Sequence, residues 1–200
     1  MRFDQLLAGR RMCRDFSDEP LAPDVLTPVL RSAFGAPSAG NTDAVSLVVL
    51  DGERVGLYWD TTLPPDRRGT FPWPGLLNAP VLVIPYVDPA RYVERYSRRD
   101  KASTGLGAGP DAWSVPYWWV DGGAAVMAML LAAESAGLGA LFFGQFEHEG
   151  AVAEMLGVPS GQRALGTVAL GRRGQGASVS QSVRNLPRQH PQERIHRGGW

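Results

Sequence analysis

Two arginines near the start of the chain are spaced so that they could hold an anion together. Arg10 and Arg14 stand four residues apart, which places them on one side of the chain in either a helical or an extended segment. Converging guanidinium groups suit a phosphate, because each group offers paired donors and a permanent charge. The alternative is a solvated basic turn whose arginines pair with nearby carboxylates, and the residues alone leave both interpretations open.

A second stretch with chemical potential is residues 36–42, which read Ala-Pro-Ser-Ala-Gly-Asn-Thr. The stretch lies between a helical pattern and an apolar strand pattern. Its small and hydroxylated residues do not fill a core, and they let the backbone approach a flat or anionic ligand closely. An ordinary loop between a helix and a strand uses the same residue types, so this interpretation also stays open.

Composition excludes several classes of function. Twenty basic residues balance twenty acidic ones, which argues against a nucleic-acid binder. The N-terminus lacks the apolar core of a signal peptide, and the longest uncharged apolar run, residues 122–133, falls short of the roughly 20 residues that cross a bilayer. The three histidines are too scattered for a metal site. We therefore expect a cytoplasmic protein without membrane, metal or nucleic-acid partners.

The hydrophobic patterns predict a mixture of helices and strands that must position the two stretches. A helix is expected from Thr27, with Pro28 at its first position and Gly35 as its stop. A hairpin is expected from strands at residues 45–50 and 54–59. Further strands are predicted at residues 79–87, 140–146 and 165–170, and further helices at residues 2–9, 89–98, 118–136 and 150–156. This irregular order indicates an α+β fold of one domain over residues 1–200.

Four motifs in order resemble the nitroreductase family of flavoenzymes. They are Arg10-Arg11-x-x-Arg14-x-Phe16, Ala36-Pro37-Ser38-Ala39-Gly40-Asn41-Thr42, Ala132-Ala133-Glu134-Ser135-Ala136-Gly137-Leu138-Gly139 and Leu156-Gly157-Val158-Pro159. The resemblance covers nearly the whole chain. It implies a nitroreductase-like fold with a central, mostly antiparallel sheet flanked by helices. It also implies a homodimer in which an extended tail, residues 171–200, reaches onto the partner subunit.

The resemblance further implies FMN as the cofactor. The arginine segment would hold the FMN phosphate, the second stretch would reach the flavin held mainly by the other subunit, and a backbone N–H near the end of the strand predicted at residues 140–146 would face the flavin N5. The tail would supply one more basic residue. The implied cofactor-binding residues are Arg10, Arg11, Arg14, Pro37, Ser38, Ala39, Asn41, Gly144, Gln145, Arg184 and Arg188.

The expected function is therefore an FMN-dependent oxidoreductase that transfers hydride from NAD(P)H to a small-molecule acceptor such as a nitro-aromatic or a quinone. Such ping-pong chemistry needs no catalytic side chain, because the flavin carries it. Two departures from the family pattern, Met12 in place of a serine and Asp43 in place of a glutamine, motivate alternatives. These are a non-redox flavin-binding accessory protein, or a specialised branch that fragments flavin or removes halogen.

Overall fold

The computed structural model describes residues 2–176 and 190–200 of the chain. We number its helices and strands in chain order. The helices are α1 (Phe3–Gly9), α2 (Pro23–Ser32), α3 (Glu53–Thr62), α4 (Pro65–Arg68), α5 (Pro89–Ser97), α6 (Tyr117–Ser135) and α7 (Glu149–Leu156). The strands are β1 (Val45–Asp51), β2 (Val81–Val87), β3 (Gly139–Phe143), β4 (Arg163–Ala164) and β5 (Thr167–Gly171).

The strands form one antiparallel sheet in the order β1-β2-β5-β3, and β4 also pairs with β2. Every residue of β2 is buried, as its continuous apolar sequence predicts. Pro85 is tolerated inside β2 because β5 pairs only with residues 81–83 and β4 only with residues 86–87. The predicted α+β fold with a mostly antiparallel sheet is confirmed.

Helices cover both faces of the sheet. Alternate β2 residues serve different layers: Leu82, Ile84 and Tyr86 pack in the core that contains the buried residues of α3 and α7. Val81 and Val83 pack in the second core, which contains the buried residues of α2 and most of those of α6. This period-two alternation fixes which helices lie on each side of the sheet.

Two sequence predictions about local structure are wrong. Residues 54–59 do not form a strand but part of α3, because Val55, Tyr58 and Trp59 have helical spacing and bury one face. Helix α2 begins at Pro23 rather than Thr27, so that Pro28 lies inside it. Pro28 is exposed, so water can reach the carbonyl group that lacks its usual N–H partner.

The C-terminal tail is only partly described. Residues 190–200 are exposed and contain a short 3₁₀ turn at Pro191–Arg194. Arg184 and Arg188 lie outside the described residues. The expected contact of the tail with a partner subunit stays a prediction.

Candidate cofactor cleft

The arginine segment is extended and adds to the edge of the sheet. Helix α1 ends at Gly9, and Met12 forms a parallel bridge with Ala140 of β3. The Cys13 amide donates a hydrogen bond to the Ala140 carbonyl oxygen at 2.8 Å. Since β3 is an edge strand, this pairing places Arg14 at the border of the sheet. Arg14 lines a cleft there.

The cleft has a volume of about 350 Å³, at the small end of the roughly 300–1,000 Å³ range of ligand sites. Trp59 of α3 stacks on Phe143 of β3, with ring centroids 5.9 Å apart and ring planes 7° from parallel. On another wall, Phe71 meets Trp73 edge to face. The lining is therefore mainly aromatic and aliphatic. Its residues are Arg14, Tyr58, Trp59, Thr62, Leu63, Phe71, Trp73, Leu76, Leu141, Phe142, Phe143, Gly144, Gln145, Phe146, Glu147 and His148.

Arg14 stands beside the aromatic wall. Its guanidinium carbon lies 5.3 Å from the centre of the Trp73 ring, which is within the range of a cation–π contact. A guanidinium group carries five N–H donors, so a cation–π contact does not by itself occupy its hydrogen-bonding capacity. Arg14 also lines a smaller cavity of about 260 Å³ on the Asp15 side.

A buried hydrogen-bond network supports the end of β3. The Tyr58 hydroxyl lies 2.8 Å from Thr167 Oγ1, and Gln145 Nε2 donates to the same oxygen at 3.1 Å. Burial raises the pKa of Tyr58 to about 12, so its hydroxyl keeps its proton at neutral pH. Gln145 Oε1 is buried without a hydrogen-bond partner among the described residues. A buried acceptor left unpaired is costly, so this oxygen can still accept a hydrogen bond from a donor.

The other two arginines of the segment have different surroundings. Arg10 Nη1 is buried and has no hydrogen-bond partner in the described part of the chain, although Arg10 is absent from the lining of the cleft. Arg11 is exposed, and its Nη1 donates to the carbonyl oxygens of Ala8 at 2.6 Å and Arg10 at 2.9 Å. Arg11 thus caps the C-terminal end of α1, where a cation is favourable.

The second stretch does not line the cleft. Pro37 and Asn41 are exposed, and the loop borders a separate cavity of about 440 Å³ next to Ala39, Tyr96 and Trp113. The structure thus brings Arg14, Gly144 and Gln145 together, and it places Pro37, Ser38, Ala39 and Asn41 elsewhere on the same protomer. That the loop serves a flavin held by another subunit stays a prediction.

Several cleft residues carry no role in the sequence-based prediction. The sequence patterns place Tyr58 and Trp59 in a strand, although the spacing of Val55, Tyr58 and Trp59 is a helical signal. Phe71 and Trp73 fall in a Pro/Gly-rich loop, and no local signal marks them. Thr167 is predicted only as part of a buried strand, because its contacts with Tyr58 and Gln145 join distant parts of the chain.

Met12 and Asp43, the two departures from the family pattern, lie in different surroundings. The Met12 side chain packs against both main cores, so this position supplies packing where a serine would supply a hydroxyl. Asp43 is exposed, and its amide donates to Ser38 Oγ at 3.1 Å. The Asp43 carboxylate is therefore at the outer surface of the loop.

Comparison with known proteins agrees with this architecture. The family model of the nitroreductase family matches residues 7–172. The chain belongs to the nitroreductase family. No curated protein matches it significantly. The family assignment confirms the resemblance of the four motifs.

Solved structures share the fold of this nitroreductase family member at low sequence identity. A nitroreductase family protein from Clostridium difficile 630 is 17% identical, with a TM-score of 0.71 and all of both chains covered. A candidate nitroreductase in complex with FMN from Desulfovibrio desulfuricans is 20% identical, with a TM-score of 0.68, covering 98% of this chain and 96% of that one. Nitroreductase A from Vibrio parahaemolyticus is 23% identical, with a TM-score of 0.70, covering 98% and 76%.

Two kinds of feature are absent from the described residues. None of the helices within residues 2–176 and 190–200 is long and apolar enough to cross a membrane. The same residues contain no group of three or more His, Cys, Asp or Glu side chains that could hold a metal ion.

Proposed function

We propose that this protein is an FMN-dependent oxidoreductase that takes hydride from NAD(P)H and delivers it to a small-molecule acceptor such as a nitro-aromatic or a quinone. The observation that carries the proposal is the cleft itself. It combines aromatic walls with the Arg14 cation, and the buried Gln145 Oε1 beside it lacks a partner among the described residues. A flat aromatic ligand with a phosphate and ring N–H groups matches all three features.

The residues present fit FMN. Arg14 would bind the phosphate, and the buried Nη1 of Arg10 is a second donor without a partner among the described residues. The amides of Gly144 and Gln145 would donate to the ring where β3 ends, and Gln145 Oε1 would accept from it. FMN, when bound, supplies hydride acceptance and donation at N5. Arg11, Arg184 and Arg188 are further candidates for the phosphate.

The protein's own groups hold the cleft in shape. Thr167 Oγ1 is hydrogen-bonded to both Tyr58 and Gln145. The part of α3 that lines the cleft, which we call its floor, is therefore connected to the end of β3. The stacked Trp59 and Phe143 rings add an apolar wall to the same cleft. Two polar residues also line the cleft, and His148 Nε2 lies 3.6 Å from Glu147 Oε1.

We further propose that the protein is a homodimer. Helix α6 buries one face, but its opposite face presents Tyr117, Val120 and Met127 to solvent at helical spacing. An exposed apolar stripe of this kind marks an association surface. A second copy would cover it, and would also bring a Pro37–Asn41 loop to the open cleft.

The spectrum of the purified protein tests the redox function. We expect a bound yellow chromophore with FMN absorption that bleaches when NADH or NADPH is added without oxygen, and that recovers with a quinone. Bound flavin that bleaches with neither donor would favour the non-redox accessory function. Absence of FMN binding at micromolar concentrations would contradict the proposal.

Sedimentation velocity tests the dimer. Val120→Glu places a charge in the α6 stripe and should shift the protein toward the monomer. Leu57→Glu is the matched control, because Leu57 is also an exposed apolar residue but lies on α3. Equal behaviour of the two variants would contradict an interface on α6.

A further inference from the structure

A single buried carboxylate on α6 holds the loop at residues 37–41. Asp121 is 7% exposed and lies in a helix that is otherwise almost wholly apolar. Its Oδ2 accepts a hydrogen bond from the Ala39 amide at 2.7 Å and another from the Tyr92 hydroxyl at 2.8 Å. The first of these contacts joins residues 82 positions apart in the chain.

This carboxylate is costly for the core. Transferring an ionised group from water to an apolar environment is unfavourable unless hydrogen bonds or an ion pair compensate it. Within residues 2–176 and 190–200, no lysine, arginine or histidine forms an ion pair with Asp121. Its compensation comes from the loop amide and from Tyr92. Burial and the neighbouring Asp121 carboxylate raise the pKa of Tyr92, so Tyr92 remains a donor.

The rest of the loop is fastened close to the same point. Arg95 Nε donates to the Gly40 carbonyl oxygen at 2.8 Å, and the two other Arg95 nitrogens donate to the Asp100 carboxylate. Inside the loop, Thr42 Oγ1 donates to the Ala39 carbonyl oxygen at 2.6 Å. These contacts fix the inner side of the loop and leave Pro37 and Asn41 exposed.

We propose that Asp121 is a positioning residue, which acts through the Ala39 amide to hold Pro37 and Ser38 in the conformation that contacts flavin across the dimer. This inference rests on the proposed function for its last step. Its first step, the fixing of the loop by Asp121, can be measured on the protein without FMN.

The experiment compares Asp121→Ala, Asp121→Asn and Val126→Ala. Asparagine keeps an oxygen that can accept from Ala39 and Tyr92, whereas alanine removes it. Val126→Ala is the control, because Val126 is a buried residue of α6 that packs in the second core. It lowers stability without touching the loop.

Amide hydrogen exchange in the FMN-free protein is the first measurement. We expect the Ala39 amide to exchange roughly 10-fold faster or more in Asp121→Ala, with most protection restored in Asp121→Asn and retained in Val126→Ala. Unchanged Ala39 exchange in Asp121→Ala overturns the inference. Equal acceleration in Val126→Ala also overturns it, because the effect would then follow stability alone.

Binding of FMN is the second measurement, by quenching of flavin fluorescence. We expect Asp121→Ala to bind FMN several-fold more weakly and Asp121→Asn to recover most of the affinity. If the Ala39 amide exchanges faster in Asp121→Ala but FMN affinity is unchanged, the proposed effect of Asp121 on flavin binding is overturned. Failure of the unaltered protein to bind FMN counts against the proposed function, and the exchange measurement then still decides whether Asp121 fixes the loop.

Discussion

The cleft and the Pro37–Asn41 loop differ in whether their polar groups have hydrogen-bond partners within the protein. In the loop, the Ala39 amide, the Gly40 carbonyl and the Ser38 hydroxyl all have protein partners. At the cleft, Gln145 Oε1 is buried without one among the described residues, and Arg14 lies over the ring of Trp73. A region whose donors and acceptors lack protein partners is suited to bind a ligand through hydrogen bonds. A loop whose polar groups are already hydrogen-bonded is suited to contact a ligand by packing.

The largest expected effect is a loss of FMN affinity when the cation of the cleft is removed. Arg14→Ala should weaken FMN binding by roughly 1.5–3 kcal/mol, about 10- to 150-fold, because a charged hydrogen bond to the phosphate is lost. Fluorescence titration measures this. Arg172→Ala is the control, since Arg172 is exposed and pairs with Glu19 at 3.0 Å. Equal FMN affinity of the two variants would contradict the assignment of Arg14 to the phosphate.

The second prediction uses pH to probe the floor of the cleft. The folded-state pKa of Tyr58 is raised by burial to about 12 from an ordinary value near 10. The protonated Tyr58 hydroxyl therefore contributes fully to the free energy of unfolding below pH 10. This contribution is lost as pH rises toward 12, by up to roughly 1.4 kcal/mol per pH unit. Urea unfolding of Tyr58→Phe should show a flatter decline in that range.

Tyr86 provides the comparison for the pH experiment. Burial also raises the pKa of Tyr86 to about 12, with Glu149 and Tyr58 adding to the shift. Tyr86→Phe should therefore flatten the decline as well, and the double variant should flatten it most. Identical pH profiles for all four proteins would contradict the assignment of both hydroxyls.

The third prediction tests the rigidity of the loop. Gly40→Ala should lower the free energy of unfolding by roughly 1–2 kcal/mol, because Gly40 has a φ of 63°. A Cβ there would also lie 2.9 Å from the Tyr96 ring. Gly150→Ala in α7 is the control, since its Cβ meets open space and should stabilise the helix slightly. A Gly40→Ala protein as stable as the unaltered one would show that the loop can relax.

The smallest expected effect concerns the unpaired acceptor. Gln145→Leu should change the free energy of unfolding by less than about 1 kcal/mol, because it removes the costly Oε1 and Thr167 keeps Tyr58 as a partner. FMN affinity should fall roughly 2- to 10-fold, as measured by the same fluorescence titration.

A second glutamine controls this experiment. Gln162 Oε1 is also buried without a partner in the described part of the chain, but Gln162 does not line the cleft. Gln162→Leu should leave FMN affinity unchanged. If both variants bind FMN equally well, Gln145 Oε1 has no part in the site.

The family and most of the helices and strands follow from the amino-acid sequence. The order of four motifs indicates the nitroreductase family, and the apolar run at residues 79–87 predicts the fully buried β2. The almost wholly apolar pattern of residues 118–136 predicts α6 to within one residue at each end. Local periodicity carries such information because each element buries a face with its own spacing. The prediction is wrong at residues 54–59, which are assigned to a strand although Val55, Tyr58 and Trp59 have the helical spacing of α3.

Contacts between side chains that are distant in sequence depend on the tertiary structure. Asp121 reaches Ala39 across 82 residues, and Tyr58 reaches Thr167 across 109. Neither pair leaves a local pattern, because a hydrogen bond depends on distance and angle between atoms rather than on separation along the chain. For the same reason, the composition of the cleft wall and the hydrogen bonds that fix the loop could not be predicted from the residues alone.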